Sequence, residues 1–174
     1  MFPRGGRLAA DRRPLLPRPD TGRHYWRMKT LNDPAARREI ITRLERLYPT
    51  TPGQFGTLTA PRMVTHLIDS ARMMLDEVPG LGTGKPIASW PPIKQLIIYV
   101  LPIPKARAKT APQLLATAPT NLGADIARLA ELLERWGTGT RMAATHPFFG
   151  SMTRSSWGVL GYKHFDHHLR QFGV

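Results

Sequence analysis

The sequence predicts an all-α protein, an up-and-down four-helix bundle with long connections. Three features of the 174 residues lead to this prediction. Apolar side chains recur at three- and four-residue spacing in four stretches, which is the period of an amphipathic helix. A capping residue precedes each stretch, and prolines or glycines follow the first three. The 17 prolines and 15 glycines also predict long loops between the helices.

The first two helices are predicted from their caps and their apolar faces. The first runs from about Asp33 to Tyr48, with Asn32 or Asp33 as its cap. Its apolar stripe consists of Ile40, Ile41, Leu44, Leu47 and Tyr48. Thr59 caps the second helix, which ends before Pro79-Gly80. Its buried face should carry His66 among Met63, Leu67, Ser70, Met73 and Met74.

A long connection, residues 79–119, separates the second predicted helix from the third. Its apolar piece, Trp90–Leu101, is expected to be a short helix packed on the domain. The third helix should run from Thr120 or Asn121 to Trp136. The fourth should begin after its cap, Thr153, and end at Gln171 or Phe172.

The chain divides into a basic tail, residues 1–27, and a folded domain, residues 28–174. The tail carries seven arginines against Asp11 and Asp20, and its prolines and scarce apolar residues predict disorder. We favour the interpretation that the protein starts at Met28. A basic targeting arm is the alternative.

The composition excludes several function classes. Cysteine is absent, which rules out disulfides, thiolate metal sites and a cysteine nucleophile. No apolar run reaches the ~20 residues of a membrane span, so we expect a cytoplasmic protein with no membrane partner. The net charge is +13, but the basic residues of the domain are scattered. A nucleic-acid partner, bound through the tail and the Lys105–Lys109 loop, is therefore the weaker interpretation.

Three histidines are predicted to face the core. His164 and His168 lie one turn apart on a stripe of the last helix that also carries Trp157, Leu160 and Gln171. His66 lies on the apolar face of the second helix. Burying three imidazoles without a partner is costly, and one metal ion accepts all three as ligands. Asp69 and Gln171 are candidates to accept hydrogen bonds from the second ring nitrogens of these histidines. His167 should lie on the flank of the last helix.

Two segments carry a resemblance to a known family. Thr65-His66-Leu67-Ile68-Asp69 and the ending Tyr162–Gln171, with its His-x-x-His-His-x-x-Gln pattern, resemble the DinB/YfiT-like superfamily of metal-dependent proteins. The loop His146–Gly150 and Trp157 are similar to an uncharacterised branch of it. The resemblance extends over residues 28–174. It implies a four-helix bundle in which His66, His164 and His168 hold zinc, nickel or iron.

The resemblance also implies a class of chemistry, because some members transfer low-molecular-weight thiols. We therefore expect a metal-dependent enzyme that activates water or such a thiol, either a thiol S-transferase or a hydrolase of a small molecule. No side chain is assigned as a catalytic residue. The alternative is a non-catalytic helical bundle that serves as a stress-response or interaction module. A homodimer is compatible with either interpretation.

Overall fold

The computed structural model describes residues 28–80, 86–105 and 112–174. The expected basic tail, residues 1–27, lies outside the described residues. The described ranges form an all-α structure, as the sequence predicts, with helices α1 (Pro34–Leu44), α2 (Ala60–Met74), α3 (Pro86–Ser89), α4 (Pro91–Gln95), α5 (Leu122–Thr138) and α6 (Arg154–Gln171). None of these helices is both long enough and apolar enough to cross a membrane.

Three short elements supplement the helices. A π-helical turn, Leu96–Val100, continues α4, and a 3₁₀ turn, Pro112–Leu115, precedes α5. Strands β1 (Thr145–His146) and β2 (Gly150–Ser151) form an antiparallel hairpin in which Thr145 lies opposite Ser151. The sequence predicts only a loop at this position, because two-residue strands are too short to show an alternating pattern.

The four expected helix starts are confirmed by side-chain caps. Asp33, Thr59, Asn121 and Thr153 each accept a hydrogen bond from a backbone N–H in the first turn of the helix that follows. Their own backbone is extended, as capping geometry requires. These short-range signals depend on neighbouring residues only, which is why the sequence reveals them.

The first helix ends four residues earlier than predicted. It stops at Leu44, and the next residues form a tighter turn in which the Leu47 N–H donates to the Leu44 carbonyl. Pro49 disfavours helical backbone in the residue before it. Tyr48 consequently leaves the predicted apolar stripe and is 72% exposed, whereas Leu44 and Leu47 remain buried.

The long helices pack on one another around a common core. Helix α2 contacts α5 and α6, and α1 contacts the same two helices. Nearly every side chain of α2 is buried, including His66 and Asp69. The largest completely buried side chains of α5 and α6 are Trp136, Trp157 and Phe165. These contacts bring the middle of α2 against the C-terminal half of α6.

The connection between α2 and α5 differs from its prediction. Trp90–Leu101 does form helix, in α4 and the π-helical turn, but only Ile98 of this piece is buried. Trp90, Leu96, Val100 and Leu101 are exposed. The segment does pack on the domain, through Ile98 and contacts with α6, but most of its apolar side chains are exposed, because composition alone does not show whether another element covers a segment.

Candidate metal centre

The three predicted core histidines converge at one point between α2 and α6. The His164 Nε2 lies 3.1 Å from the His66 Nε2 and 3.1 Å from the His168 Nε2. The rings meet edge to face, with centroids 4.8–5.0 Å apart. Each ring offers one nitrogen to the same small volume, so the group could hold a metal ion.

Two of the three nitrogen–nitrogen separations are close to those around a small divalent ion, and all three ligand nitrogens lie within 4.8 Å of one another. Two nitrogen ligands about 2.0–2.1 Å from a tetrahedral zinc ion lie roughly 3.3–3.4 Å from each other. The observed 3.1 Å separations need to widen by only a few tenths of an ångström to match, about the freedom of a side-chain torsion.

The far nitrogen of His66 determines where its proton lies. His66 Nδ1 is 2.8 Å from the backbone carbonyl of Leu114, and a carbonyl oxygen can only accept a hydrogen bond. The proton is therefore on Nδ1, and Nε2 directs a lone pair into the cluster. The Arg62 guanidinium holds the Leu114 segment in place by donating to the carbonyls of Leu115 and Thr117.

The same reasoning applies to His168, whose far nitrogen contacts the side chain of Gln171. The His168 Nδ1 lies 2.9 Å from the Gln171 Oε1, and the Gln171 Nε2 donates to the Phe55 carbonyl. That second bond sets the orientation of the amide, since only the NH₂ group can donate to a carbonyl. His168 Nδ1 thus carries the proton, and the His168 Nε2 also directs a lone pair into the cluster.

The cluster consequently has more acceptors than donors. Two lone pairs, from His66 and His168, face the Nε2 of His164, which carries one proton at most. At least one of these short nitrogen–nitrogen contacts therefore lacks a hydrogen. A cation that accepts all three lone pairs would remove this mismatch, and His66 and His168 have the far-nitrogen partners that are typical of metal-ligating histidines.

Burial keeps these imidazoles neutral. Desolvation lowers the pKa of His66 and of His164, and it lowers the pKa of His168 to about 3. The charges that neighbouring histidines would carry lower the pKa of His164 further. Neutral imidazole is the form that binds metals, so at neutral pH protons compete only weakly for the ligand nitrogens.

Asp69 does not take the role that the sequence analysis gave it. Its carboxylate accepts hydrogen bonds from the backbone N–H and the hydroxyl of Thr117, at 2.9 and 2.5 Å, and not from His66. The Leu114 carbonyl supports His66 instead. Sequence reasoning missed Leu114 because a backbone carbonyl has no residue-type signature and this one lies 48 positions along the chain. Gln171, by contrast, contacts the far nitrogen of His168.

The two remaining described histidines of the sequence analysis lie outside the cluster. His167 packs against Phe55, with ring centroids 5.3 Å apart. His146 lies in the hairpin against Phe149 and Trp157, and its Nδ1 accepts a hydrogen bond from the Phe148 N–H. Burial, with a contribution from the charge of Lys94, lowers the pKa of His146 to about 4.

Comparison with known proteins adds one finding. A family model described as a protein of unknown function, DUF1569, matches residues 35–173, which include all three histidines of the cluster. No curated protein and no solved structure matches the chain.

Proposed function

The chain belongs to the DUF1569 family, and we propose that it is a metal-dependent enzyme that activates water or a low-molecular-weight thiol. The activated thiol would then be transferred to a small molecule, or the activated water would hydrolyse one. The observation that carries the proposal is the convergence of three imidazole nitrogens, of which at least two present lone pairs.

The donor set favours zinc, nickel or iron as the ion. Imidazole nitrogen suits each of these, and three protein ligands leave coordination positions open, as in catalytic zinc sites. A divalent ion held there would act as a Lewis acid and lower the pKa of a bound water or thiol. Since the chain contains no cysteine, a reacting thiol has to come from solution.

The chain's own groups keep the ligands oriented. The Leu114 carbonyl and the Gln171 side chain hold the far nitrogens of His66 and His168, which fixes both ring planes and both tautomers. Asp69 adds a nearby negative charge that raises the pKa of His66 against the effect of burial. It also anchors Thr117, three residues beyond Leu114.

We also propose that α1, α2, α5 and α6 form a four-helix bundle of the DinB/YfiT type. Two observations support this arrangement. Each of α1 and α2 contacts each of α5 and α6, as expected for four helices around one core, whereas the up-and-down order expected from the sequence would make consecutive helices the main neighbours. The histidine cluster also joins the second and fourth long helices, as the sequence resemblance implies.

Metal content tests the site directly. Purified protein is stripped with a chelator, dialysed against zinc, nickel or iron(II), and analysed for bound metal. We expect one ion per chain in the wild type and none in His164→Ala. The matched control is His167→Asn, which alters a neighbouring histidine that lies outside the cluster and should keep the full metal content. Equal metal content in all three proteins would contradict the site.

Activity is tested on the same preparations. The loaded proteins are assayed for transfer of several small thiols to electrophiles and for hydrolysis of ester and amide substrates. We expect activity in a metal-loaded form, and its loss in the stripped protein and in His168→Ala. Metal binding without any activity across the panel would favour the alternative, a non-catalytic interaction module.

A further inference from the structure

Exposed apolar side chains are concentrated in one segment of the chain, residues 87–101, none of which belongs to the histidine cluster. Of the eight large apolar residues exposed in the described ranges, five lie between positions 87 and 101: Ile87, Trp90, Leu96, Val100 and Leu101. We call these five the apolar surface. Trp90 is 59% exposed and Val100 is 69% exposed. Isolated exposed apolar residues are ordinary, but such a concentration marks an interaction site.

The segment that carries the apolar surface is attached to the core by its other side. Ile98 is completely buried, and the Tyr99 hydroxyl lies 3.1 Å from the Ser156 Oγ. The Lys94 ammonium group donates to the Ser151 carbonyl of the hairpin. The segment is therefore two-sided: its anchoring contacts face the domain, while Leu96, Val100 and Leu101 remain in contact with solvent.

Three backbone carbonyls at the end of the π-helical turn accept hydrogen bonds from one side chain. The Lys163 ammonium group donates to the carbonyls of Ile97, Ile98 and Leu101 at 2.9, 2.9 and 2.5 Å. The last carbonyls of a helix normally depend on water. Because Lys163 supplies hydrogen bonds to the Ile97, Ile98 and Leu101 carbonyls, these three groups keep a partner where water is excluded.

The surrounding sequence is uniformly basic. From position 78 to position 124 there is no aspartate or glutamate, while five lysines and arginines occur. Within the described part of this stretch, Lys105 is exposed and its ammonium group lies over the Phe55 ring. Exposed tryptophan and aliphatic side chains next to cations are the pattern of a segment that lies in a membrane interface.

We infer that the apolar surface docks onto an anionic lipid bilayer, with its side chains among the acyl chains and the neighbouring cations at the headgroups. Such attachment lies along the interface and needs no spanning helix, so it departs from the expectation of no membrane partner, which depended on the lack of a spanning segment. A second copy of the chain is a poorer occupant, since it would oppose two stretches of the same positive charge. The inference does not depend on metal binding, because no side chain of the histidine cluster belongs to the surface.

Vesicle partitioning tests the inference with the full chain. We compare vesicles of pure phosphatidylcholine with vesicles that contain phosphatidylglycerol, and we expect binding only to the second kind. Trp90→Ser/Val100→Ser should weaken that binding by about tenfold, because it removes the apolar contribution and leaves the charge unchanged. The matched control is Tyr48→Ser, an equally exposed side chain elsewhere, which should bind as the wild type does.

Tryptophan fluorescence locates the contact. Trp136 and Trp157 are 1% and 2% exposed, so their emission should not respond to lipid, and Trp26 of the basic tail is replaced by phenylalanine in every protein compared. We expect a blue shift on adding anionic vesicles, and loss of that shift in Trp90→Phe although this variant still binds. A shift that persists in Trp90→Phe would place the contact elsewhere.

Two results would overturn the inference. The first is vesicle binding by Trp90→Ser/Val100→Ser that equals the wild type and disappears in high salt, which indicates attraction by net charge only. The second is a wild-type dimer that becomes monomeric in the double variant, which shows that another copy covers the apolar surface.

Discussion

Individual hydrogen bonds at the far nitrogens decide what the histidine cluster can bind. His66 and His168 present lone pairs to the cluster only because the Leu114 carbonyl and the Gln171 amide oxygen hold their protons on Nδ1. The Gln171 amide is oriented in turn by the Phe55 carbonyl. The site therefore includes groups that orient the histidines without contacting a bound metal, and each of these groups can be tested separately.

Replacing Gln171 with leucine should weaken zinc binding without removing the site. The substitution leaves the His168 Nδ1–H without its acceptor and frees the ring to rotate. We expect zinc affinity to fall by about 10- to 100-fold, the usual effect of losing such a partner. Competition with a chromogenic chelator measures the change. The control, Gln54→Leu, alters an exposed glutamine of the adjacent loop and should retain wild-type affinity.

His146 should make the fold sensitive to acid. Its pKa is about 4 in the folded protein, against an ordinary value of 6.5. Between these values the unfolded chain binds more protons, so the free energy of unfolding falls as the pH drops from 6.5 towards 4 and is unaffected by His146 above that window. At about 1.4 kcal/mol per pKa unit, the loss amounts to roughly 3 kcal/mol.

Urea unfolding of chelator-treated protein across this pH range measures that loss. His146→Phe preserves an aromatic ring against Trp157 but cannot take up a proton. We expect its free energy of unfolding to decline less steeply below pH 6.5 than that of the wild type. Parallel curves for the two proteins would show that other groups cause the acid sensitivity.

At the scale of elements, α6 depends on a close approach by the chain segment before α1. The Leu31 N–H donates to the Gly158 carbonyl, 3.0 Å away. A Cβ at position 158 would lie 2.4 Å from the Thr30 hydroxyl and 2.7 Å from the Asn32 amide nitrogen. The Asn32 side chain is itself held, since its oxygen accepts from the Trp136 indole. Glycine is therefore required at this point by the space available.

Gly158→Ala should destabilise the protein although it improves helix propensity. Propensity alone predicts a gain of about 1 kcal/mol for glycine to alanine inside a helix. The steric conflict with Thr30 and Asn32 should outweigh that gain and give a net loss of about 1–3 kcal/mol. Chemical denaturation measures it. Ser155→Ala, at an exposed position of the same helix, should change stability by less than about 0.5 kcal/mol.

At the scale of the whole molecule, a metal ion at the cluster would link α2 to α6. Binding to the folded state only adds about 3 kcal/mol at a free metal concentration of 100 times the dissociation constant. For a chain of this length that corresponds to a rise in melting temperature of roughly 5–10 °C. Thermal unfolding with zinc and with a chelator measures the rise. His164→Ala should melt at the same temperature in both.

The sequence by itself determined the features that depend on near neighbours. The caps of the four long helices follow from one side chain and the N–H two or three residues later. The shared face of His164 and His168 follows from helical periodicity. The apolar surroundings of His66 likewise placed that residue in the core. Caps and helical faces depend on residues within a few positions of one another, so these predictions required no knowledge of the fold.

The tertiary structure alone decided the features that join distant segments. The identity of the group that holds His66, a carbonyl 48 positions away, depends on how the 3₁₀ turn packs on α2. The exposure of Trp90 and Val100 depends on whether another element covers α4 and the π-helical turn. An apolar side chain favours burial whether or not the fold places another element over it. A backbone carbonyl is the same in every residue, so the sequence does not show which one contacts His66. Only the packing of the chain distinguishes between them.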